Sequence, residues 1–342
     1  MADPALPLVF TRRDALEVGL TRHQVERRVH RGTWRTLRRG VHCLAAVYDA
    51  ADARGRHEIE VRAVVLSRPD DVLVSHLSAA CLLGWPRPLA GWGPATVTAA
   101  PGTLARARRG VVVQAATLRA VDRTLRDGLA VTSPARTLAD VLRHVRAPEA
   151  VAITDHALRA GRTTYEQVAA VLAWQQTWPY AVRGVAALQL VDPRRENWLE
   201  SYSFVGLYEH RVPLPEPQVE VFDARGRFVA RLDGLWDDAT AAESDGRVKY
   251  DLLGVLGAQA DPAASVDELV HRAQRTLDEE KRRQDAICGL GLELVRWGTA
   301  EVRHDLPGLA RRVQERRAVA DPSRFTGRLR RQPRPPWLAP SP

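Results

Sequence analysis

Three carboxylates and a lysine in the last third of the sequence are spaced for chemistry. Asp233 falls in a stretch with strand character (227–235), and Glu243-Ser-Asp245 closes the next one (240–244). Strand side chains repeat direction every second residue, so Glu243 and Asp245 share a side. With Asp233 on the adjacent strand, the three acids can converge at one end of a sheet. Grouped carboxylates suit Mg²⁺, with Mn²⁺ also possible, and such an ion activates water for phosphodiester hydrolysis. That reaction also needs a cation beside the phosphate, and Lys249 follows Asp245 by four residues. Asp233 and Glu243 are thus the expected metal ligands, with Asp245 and Lys249 as their catalytic companions. Of 50 basic residues only Lys249 and Lys281 are lysines. Lysine is the compact, tunable ammonium that guanidinium cannot replace. The bland alternative is a solvated strand end followed by an amphipathic helix of mixed charge.

The elements that must position these residues read as helix, three strands, helix, strand, helix. Glu196-Asn-Trp-Leu-Glu200 opens a helix to about residue 210, and Ala224-Arg225-Gly226 joins strands at 218–223 and 227–235. A helix over 266–287, capped from Ser265, a strand over 292–297 and a helix over 300–316 complete the order.

The other informative region is the N-terminus. Thr11-Arg-Arg-Asp14 and Thr21-Arg-His-Gln24 are two capping boxes, and Gly19 between them ends the first helix. Two short helices joined by a glycine turn form a helix-turn-helix pattern. Short strands over 34–37 and 41–44 flank Arg38-Arg39-Gly40 like the hairpin of a winged helix. The second helix turns Leu20, Val25 and Val29 to one side and Arg22, Gln24, Arg27, Arg28 and Arg31 to the other. Arg reads guanine and Gln reads adenine in the major groove, while Arg38 and Arg39 would reach phosphate or the minor groove. DNA is the expected partner.

Composition agrees. The formal net charge is +9, residues 1–44 carry nine Arg against four acids, and residues 311–342 carry nine against two. No apolar stretch approaches the roughly 20 residues of a membrane helix, and no signal peptide is evident. Cys43, Cys81 and Cys288 are too far apart for a zinc site and fit buried thiols in a reducing, cytoplasmic compartment. Between 51 and 190 the pattern is mixed α and β without a catalytic constellation. His76 beside Ser75 and Ser78 lacks a placed carboxylate, so a core or capping role is expected. Residues 318–342, rich in Arg and Pro, do not build a core and are expected to be disordered.

Asp233, Glu243-x-Asp245-Gly246, the run Glu280-Lys281-x-Arg283-x-Asp285 and Leu294-Val-Arg296-Trp297 together resemble the very-short-patch-repair-like branch of PD-(D/E)XK endonucleases. The resemblance implies that the strand acids bind Mg²⁺ and that Glu200, or Glu196 instead, is the assisting acid of the first helix. Lys281 and Arg283 would hold the DNA backbone. Two departures stand out: the third motif is E-x-D where the family has E-x-K, and Lys249 sits where many relatives carry His. The N-terminal half resembles the AbiEi-type antitoxins of type IV toxin–antitoxin systems, as in actinobacterial proteins that join such a start to a nuclease-like end. This resemblance implies repression of its own operon and a cognate toxin.

The expected architecture is therefore multidomain, α+β and α/β: a winged helix-turn-helix (1–50), a mixed α/β scaffold (51–190), a restriction-endonuclease-like mixed sheet with flanking helices (191–317) and a basic tail (318–342). Two function classes follow. One is a Mg²⁺-dependent DNA endonuclease targeted by its winged helix. The other is a non-enzymatic regulator or antitoxin with a degenerate nuclease fold, which the E-x-D triplet favours. An RNA-directed protein has little support, because aromatic stacking motifs are absent.

Overall fold

The computed structural model describes residues 6–68, 72–103, 106–108, 110–245 and 266–338. It is a mixed α/β structure with three sheets, and its contacts divide it into two units, Met1–Arg146 with Ala160–Leu188, and Ala147–Arg159 with Gln189–Pro342. Among the described residues no helix is long and apolar enough to cross a membrane.

The first unit begins with β1 (Phe10–Thr11), α1 (Arg12–Glu17) and α2 (Arg22–His30). Both capping boxes form: Thr11 Oγ1 accepts from Asp14 N at 3.1 Å, and Thr21 Oγ1 accepts from Gln24 N at 3.2 Å. Gly19 turns the chain between the helices at φ 90°, a conformation open to glycine at little cost. A hairpin of β2 (Trp34–Arg38) and β3 (Val41–Leu44) pairs with β1 in the order β1-β3-β2. Its inner face closes over Phe10, Ala15, Leu20 and Val25, with Trp34 and Phe10 meeting edge to face at 4.6 Å.

Helices α3 (Ala45–Ala50) and α4 (Ala53–Leu66) follow, and α4 buries Ile59 and Ala63 against Val41 and Cys43 of β3. A six-stranded mixed sheet then forms from β4 (Val72–Val74), β5 (Ala95–Ala99), β6 (Arg106–Arg108), β7 (Val111–Ala115), β8 (Arg123–Arg126) and β9 (Leu129–Thr132). Its order is β6-β7-β5-β4-β9-β8, and α4 and α5 (His76–Leu82) cover it through Val61, Val64, Ala79 and Leu82. Neither α3 nor β8 was expected from sequence, and the basic stretch at 106–108 is a strand rather than a connection.

Helix α6 (Pro134–His144) carries a buried ionic network. Asp140 accepts from Arg136 Nε and Arg143 Nη2, each at 2.8 Å, and from Gln175 Nε2 at 3.2 Å. The chain next enters the second unit as α7 (Ala147–Arg159), then returns to the first for α8 (Tyr165–Trp174) and α9 (Ala181–Leu188).

In the second unit α7 packs on α10 (Trp198–Glu209). Asp155 of α7 holds Arg195 Nη1 at 3.0 Å and accepts from Asp192 N at 2.8 Å, all three residues being buried. The sheet comprises β10 (Glu216–Phe222), β11 (Phe228–Leu235), β12 (Thr240–Asp245), β13 (Glu293–Gly298) and β14 (Arg328–Arg330), in the order β13-β12-β11-β10-β14. Helix α11 (Val266–Gly289) precedes β13, and the capping residue expected for it, Ser265, lies outside the described residues. The expected last helix is two, α12 (Thr299–His304) and α13 (Leu306–Val319), parted at Asp305, whose carboxylate accepts from Gly308 N at 2.9 Å.

Two expectations are corrected here. The tail is not structureless, because β14 pairs Arg328, Leu329 and Arg330 with Phe222, Val221 and Glu220. Leu329 and Phe325 pack on the Val219–Leu232 core, and Arg330 and Arg334 find Glu220 and Glu216. The count of tail arginines concealed this, since their acidic partners lie more than a hundred positions earlier. Cys43 and Cys81 are buried as expected, but Cys288 is exposed.

Candidate functional site

The acids of the second unit converge. Asp233 on β11 and Glu243 and Asp245 on β12 line a cavity of about 210 Å³ together with Ser244, Arg231, Arg283 and Arg296. Antiparallel pairing of β11 with β12 sets Gly234 opposite Ala242, which brings Asp233 beside Ser244. One Asp233 oxygen accepts from Ser244 N at 2.7 Å and from its hydroxyl at 3.0 Å. Burial raises the Asp233 carboxyl above its ordinary value, and the Ser244 donors oppose that rise.

Glu243 is the most strongly engaged of the three. Arg283 Nη1 lies 2.8 Å from its Oε1, and Arg296 Nε lies 2.6 Å from its Oε2. The sequence placed Arg283 as a phosphate contact and gave Arg296 no role. The parallel register of β12 with β13 sets Glu243 directly opposite Arg296, which is the signal that reading lacked. Lys281 on α11 is exposed, with no place in the cavity lining, while Gly246 and Lys249 lie outside the described residues.

Glu200 sits in the first turn of α10 and is only 1% exposed. Glu196 N and Gln218 Nε2 donate to its Oε2 at 2.8 and 2.9 Å, and the side chain of its N-cap Asn197 donates to the other oxygen. Glu196, the alternative, instead pairs with Arg231 at 2.8 Å. Burial, then the nearby Asp233 charge, pushes the Glu200 carboxyl up from 4.5 to about 7. Its protonated form is therefore favoured by folding, so this contribution to stability is present below about pH 4.5 and is lost as pH rises through about 7. Stability of the second unit should fall by about 3 kcal/mol across that window. Urea unfolding against pH checks this, with Glu200→Gln expected to flatten the slope.

A Mg²⁺ ion needs unencumbered oxygens at about 2.0–2.1 Å in near-octahedral array. Here both Glu243 oxygens face guanidinium groups and one Asp233 oxygen serves Ser244. Among the described residues no group of three or more His, Cys, Asp or Glu is placed to hold a metal. As arranged, the donor set fits an arginine-clamped carboxylate and does not fit the expected ion.

In the first unit, α2 is fixed from below by Val25 and leaves Arg22, Arg27 and Arg31 exposed. Two residues expected to face DNA have structural duties as well. Gln24 Oε1 accepts from Thr21 N at 2.8 Å, and Arg28 lies over the Trp34 ring at 5.6 Å with Nη1 3.5 Å from Gln24 O. Arg38 and Arg39 fall at the β2–β3 turn, where Gly40 has φ 72°.

His76, which opens α5 at φ 54°, is buried and held neutral near neutral pH, its value lowered by burial to about 4. Its Nδ1 shares a proton with Ser75 Oγ at 2.9 Å and its ring meets His144 at 4.8 Å, consistent with a core histidine.

Part of the chain is similar to a known family. Residues 75–186 match the model of the AbiEi antitoxin C-terminal domain. Two uncharacterized proteins of Mycobacterium tuberculosis, from strains CDC 1551 and H37Rv, are each 32% identical over 115 residues, 34% of this chain. The chain spans 42% of the length of these curated relatives.

Proposed function

We propose that this chain is a DNA-binding regulator of the antitoxin type, acting in a toxin–antitoxin pair. The observation that carries the reading is the match of residues 75–186 to the AbiEi antitoxin C-terminal domain. The N-terminal elements supply the complementary part. A winged helix-turn-helix would use α2 for recognition and the β2–β3 hairpin as the wing. The exposed Arg22, Arg27 and Arg31 are free of the packing duties of Arg28 and Gln24, so they would make the DNA contacts that matter most. A cognate toxin is the expected counterpart.

The test is a footprint and binding titration on the DNA upstream of its own gene. A protected site, with toxicity of the adjacent gene relieved by this chain, is the expected result. No preferred site would refute the reading. Arg27→Ala should weaken operator binding by about 1–3 kcal/mol if it reads a base, without changing the salt slope. If it meets only phosphate, binding should weaken alike on all sequences and the slope should drop by about one counterion.

A second reading has one observation in its favour, the meeting of Asp233, Glu243 and Asp245 in a single cavity. It would make the second unit a Mg²⁺-dependent endodeoxyribonuclease only if Arg283 and Arg296 released Glu243 to the ion. Metal-dependent cutting of plasmid DNA that is lost in Glu243→Ala would establish it. Absence of cutting with Mg²⁺ and with Mn²⁺ alike would leave the regulator.

A further inference from the structure

A second cavity lies in the first unit. Its volume is about 810 Å³, and it is bounded by Thr36–Arg39 of the hairpin, by His57 and Glu60 of α4, by Gly93, Pro94 and Ala95, and by Gly110. That volume suits a mononucleotide-sized ligand, since small-molecule sites run from about 300 to 1,000 Å³. The chemistry of its walls is uneven in an informative way.

One wall is cationic. Arg38 and Arg39 are consecutive, and guanidinium presents planar paired donors that match phosphate oxygens. The same lining carries one carboxylate. Glu60 is half-buried and accepts from the Tyr48 hydroxyl at 3.2 Å through Oε1, which leaves its other oxygen as an acceptor. A carboxylate in the same lining as two arginines makes a poor surface for a bare polyanion such as pyrophosphate. It suits a ligand with phosphate at one end and hydroxyl or amino donors at the other.

The other described lining residues are neutral. His57 is fixed to Ser78 Oγ at 2.9 Å and stacks on Trp92 at 6.0 Å, and burial keeps it uncharged at neutral pH. Gly93 and Gly110 bring bare backbone to the cavity at φ 67° and 73°. A Cβ built on Gly93 would meet nothing within 4 Å, and one on Gly110 would first meet an Arg38 guanidinium nitrogen at 4.0 Å.

We propose that this cavity binds a nucleoside phosphate, with the phosphate on Arg38 and Arg39 and the sugar or base donors on Glu60. The same two arginines belong to the hairpin assigned to DNA, so a bound nucleotide withdraws them from the phosphate backbone. Occupancy should therefore lower operator affinity, a consequence that rests on the DNA-binding reading, whereas the binding itself does not.

The experiment titrates the full chain with ATP, GTP, adenosine and pyrophosphate by calorimetry, then repeats the operator titration with saturating nucleotide. Saturable binding of a nucleoside triphosphate is expected, with adenosine and pyrophosphate each weaker. The Arg38→Gln/Arg39→Gln double variant should weaken it by about 10-fold or more, as loss of charge-assisted bonds requires. Arg39→Gln alone, at an exposed position, serves should the double variant fold poorly. Arg27→Ala, outside the lining, should keep nucleotide binding while losing DNA affinity. Binding of none of the nucleotides, or binding indifferent to both arginine variants, would overturn the proposal. Arginine-dependent nucleotide binding by a chain with no affinity for DNA would uphold the site and reject the regulator.

Discussion

Asp140→Ala should cost the first unit about 3–5 kcal/mol of stability, the penalty for leaving buried charges without their partner. Among the described residues the carboxylate is the one acid that Arg136 and Arg143 share, and it serves Gln175 as well. Arg136 and Arg143 are 1% and 3% exposed, so neither guanidinium can turn to water. After truncation Arg136 keeps Asp122 at 3.1 Å, and Arg143 keeps the Pro179 carbonyl at 2.7 Å. Their stacking near Trp178, at 4.9 and 5.2 Å, orients both heads but cannot neutralise them. Burial would raise the Asp140 carboxyl, but the charges of His76, Arg136 and Arg143 bring it below 3.8. Its contribution is therefore present at neutral pH and is lost only on strong acidification. Urea unfolding of the variant beside Asp140→Asn measures the effect, and a loss under about 1 kcal/mol for alanine would mean that the network is not structural.

Trp34→Ala should be nearly as damaging, at about 3–5 kcal/mol for an emptied aromatic site. Trp34 is 1% exposed and closes the cluster of Phe10, Ala15, Leu20 and Val25 that sets α2 against the hairpin. Amide exchange should accelerate over 10–44, and, on the proposed regulator reading, operator binding should be lost as α2 comes free. The indole Nε1 has no hydrogen-bond partner among the described residues. Trp34→Phe keeps most of the ring and gives up only that unsatisfied donor, so a loss below about 1.5 kcal/mol is expected. Intact DNA binding by the alanine variant would mean that this cluster does not orient the arginines.

Local chemistry made much of the fold legible. The Thr11 and Thr21 capping boxes and the Ala224–Gly226 turn depend on residues within a few positions of one another, and each helix or hairpin they announce forms. Strand β8 was missed although Asp127-Gly128 is a two-residue hairpin signal, with both residues at positive φ (48° and 77°). Its two terminal arginines, Arg123 and Arg126, and its exposed Leu125 concealed a strand with little buried surface. At the acidic cavity, periodicity predicted that the carboxylates would meet. It could not show that Arg283 and Arg296 would clamp Glu243, because their proximity depends on a parallel pairing about fifty residues apart. The same holds for Glu200, whose raised value comes from burial that no spacing reveals.

The interleaving of α7 with the second unit bears on how the chain is made. Synthesis delivers Ala147–Arg159 before residues 160–188, which belong to the other unit, and before α10 and the sheet. Asp155 therefore emerges about forty residues ahead of Arg195, the cation it is built to hold. At about 5–20 residues per second the ribosome leaves this helix waiting for seconds. Its apolar side chains, Val151 and Ile153 included, are then without their native cover. Cutting the gene near residue 190 would make that wait permanent, so neither half is a natural fragment.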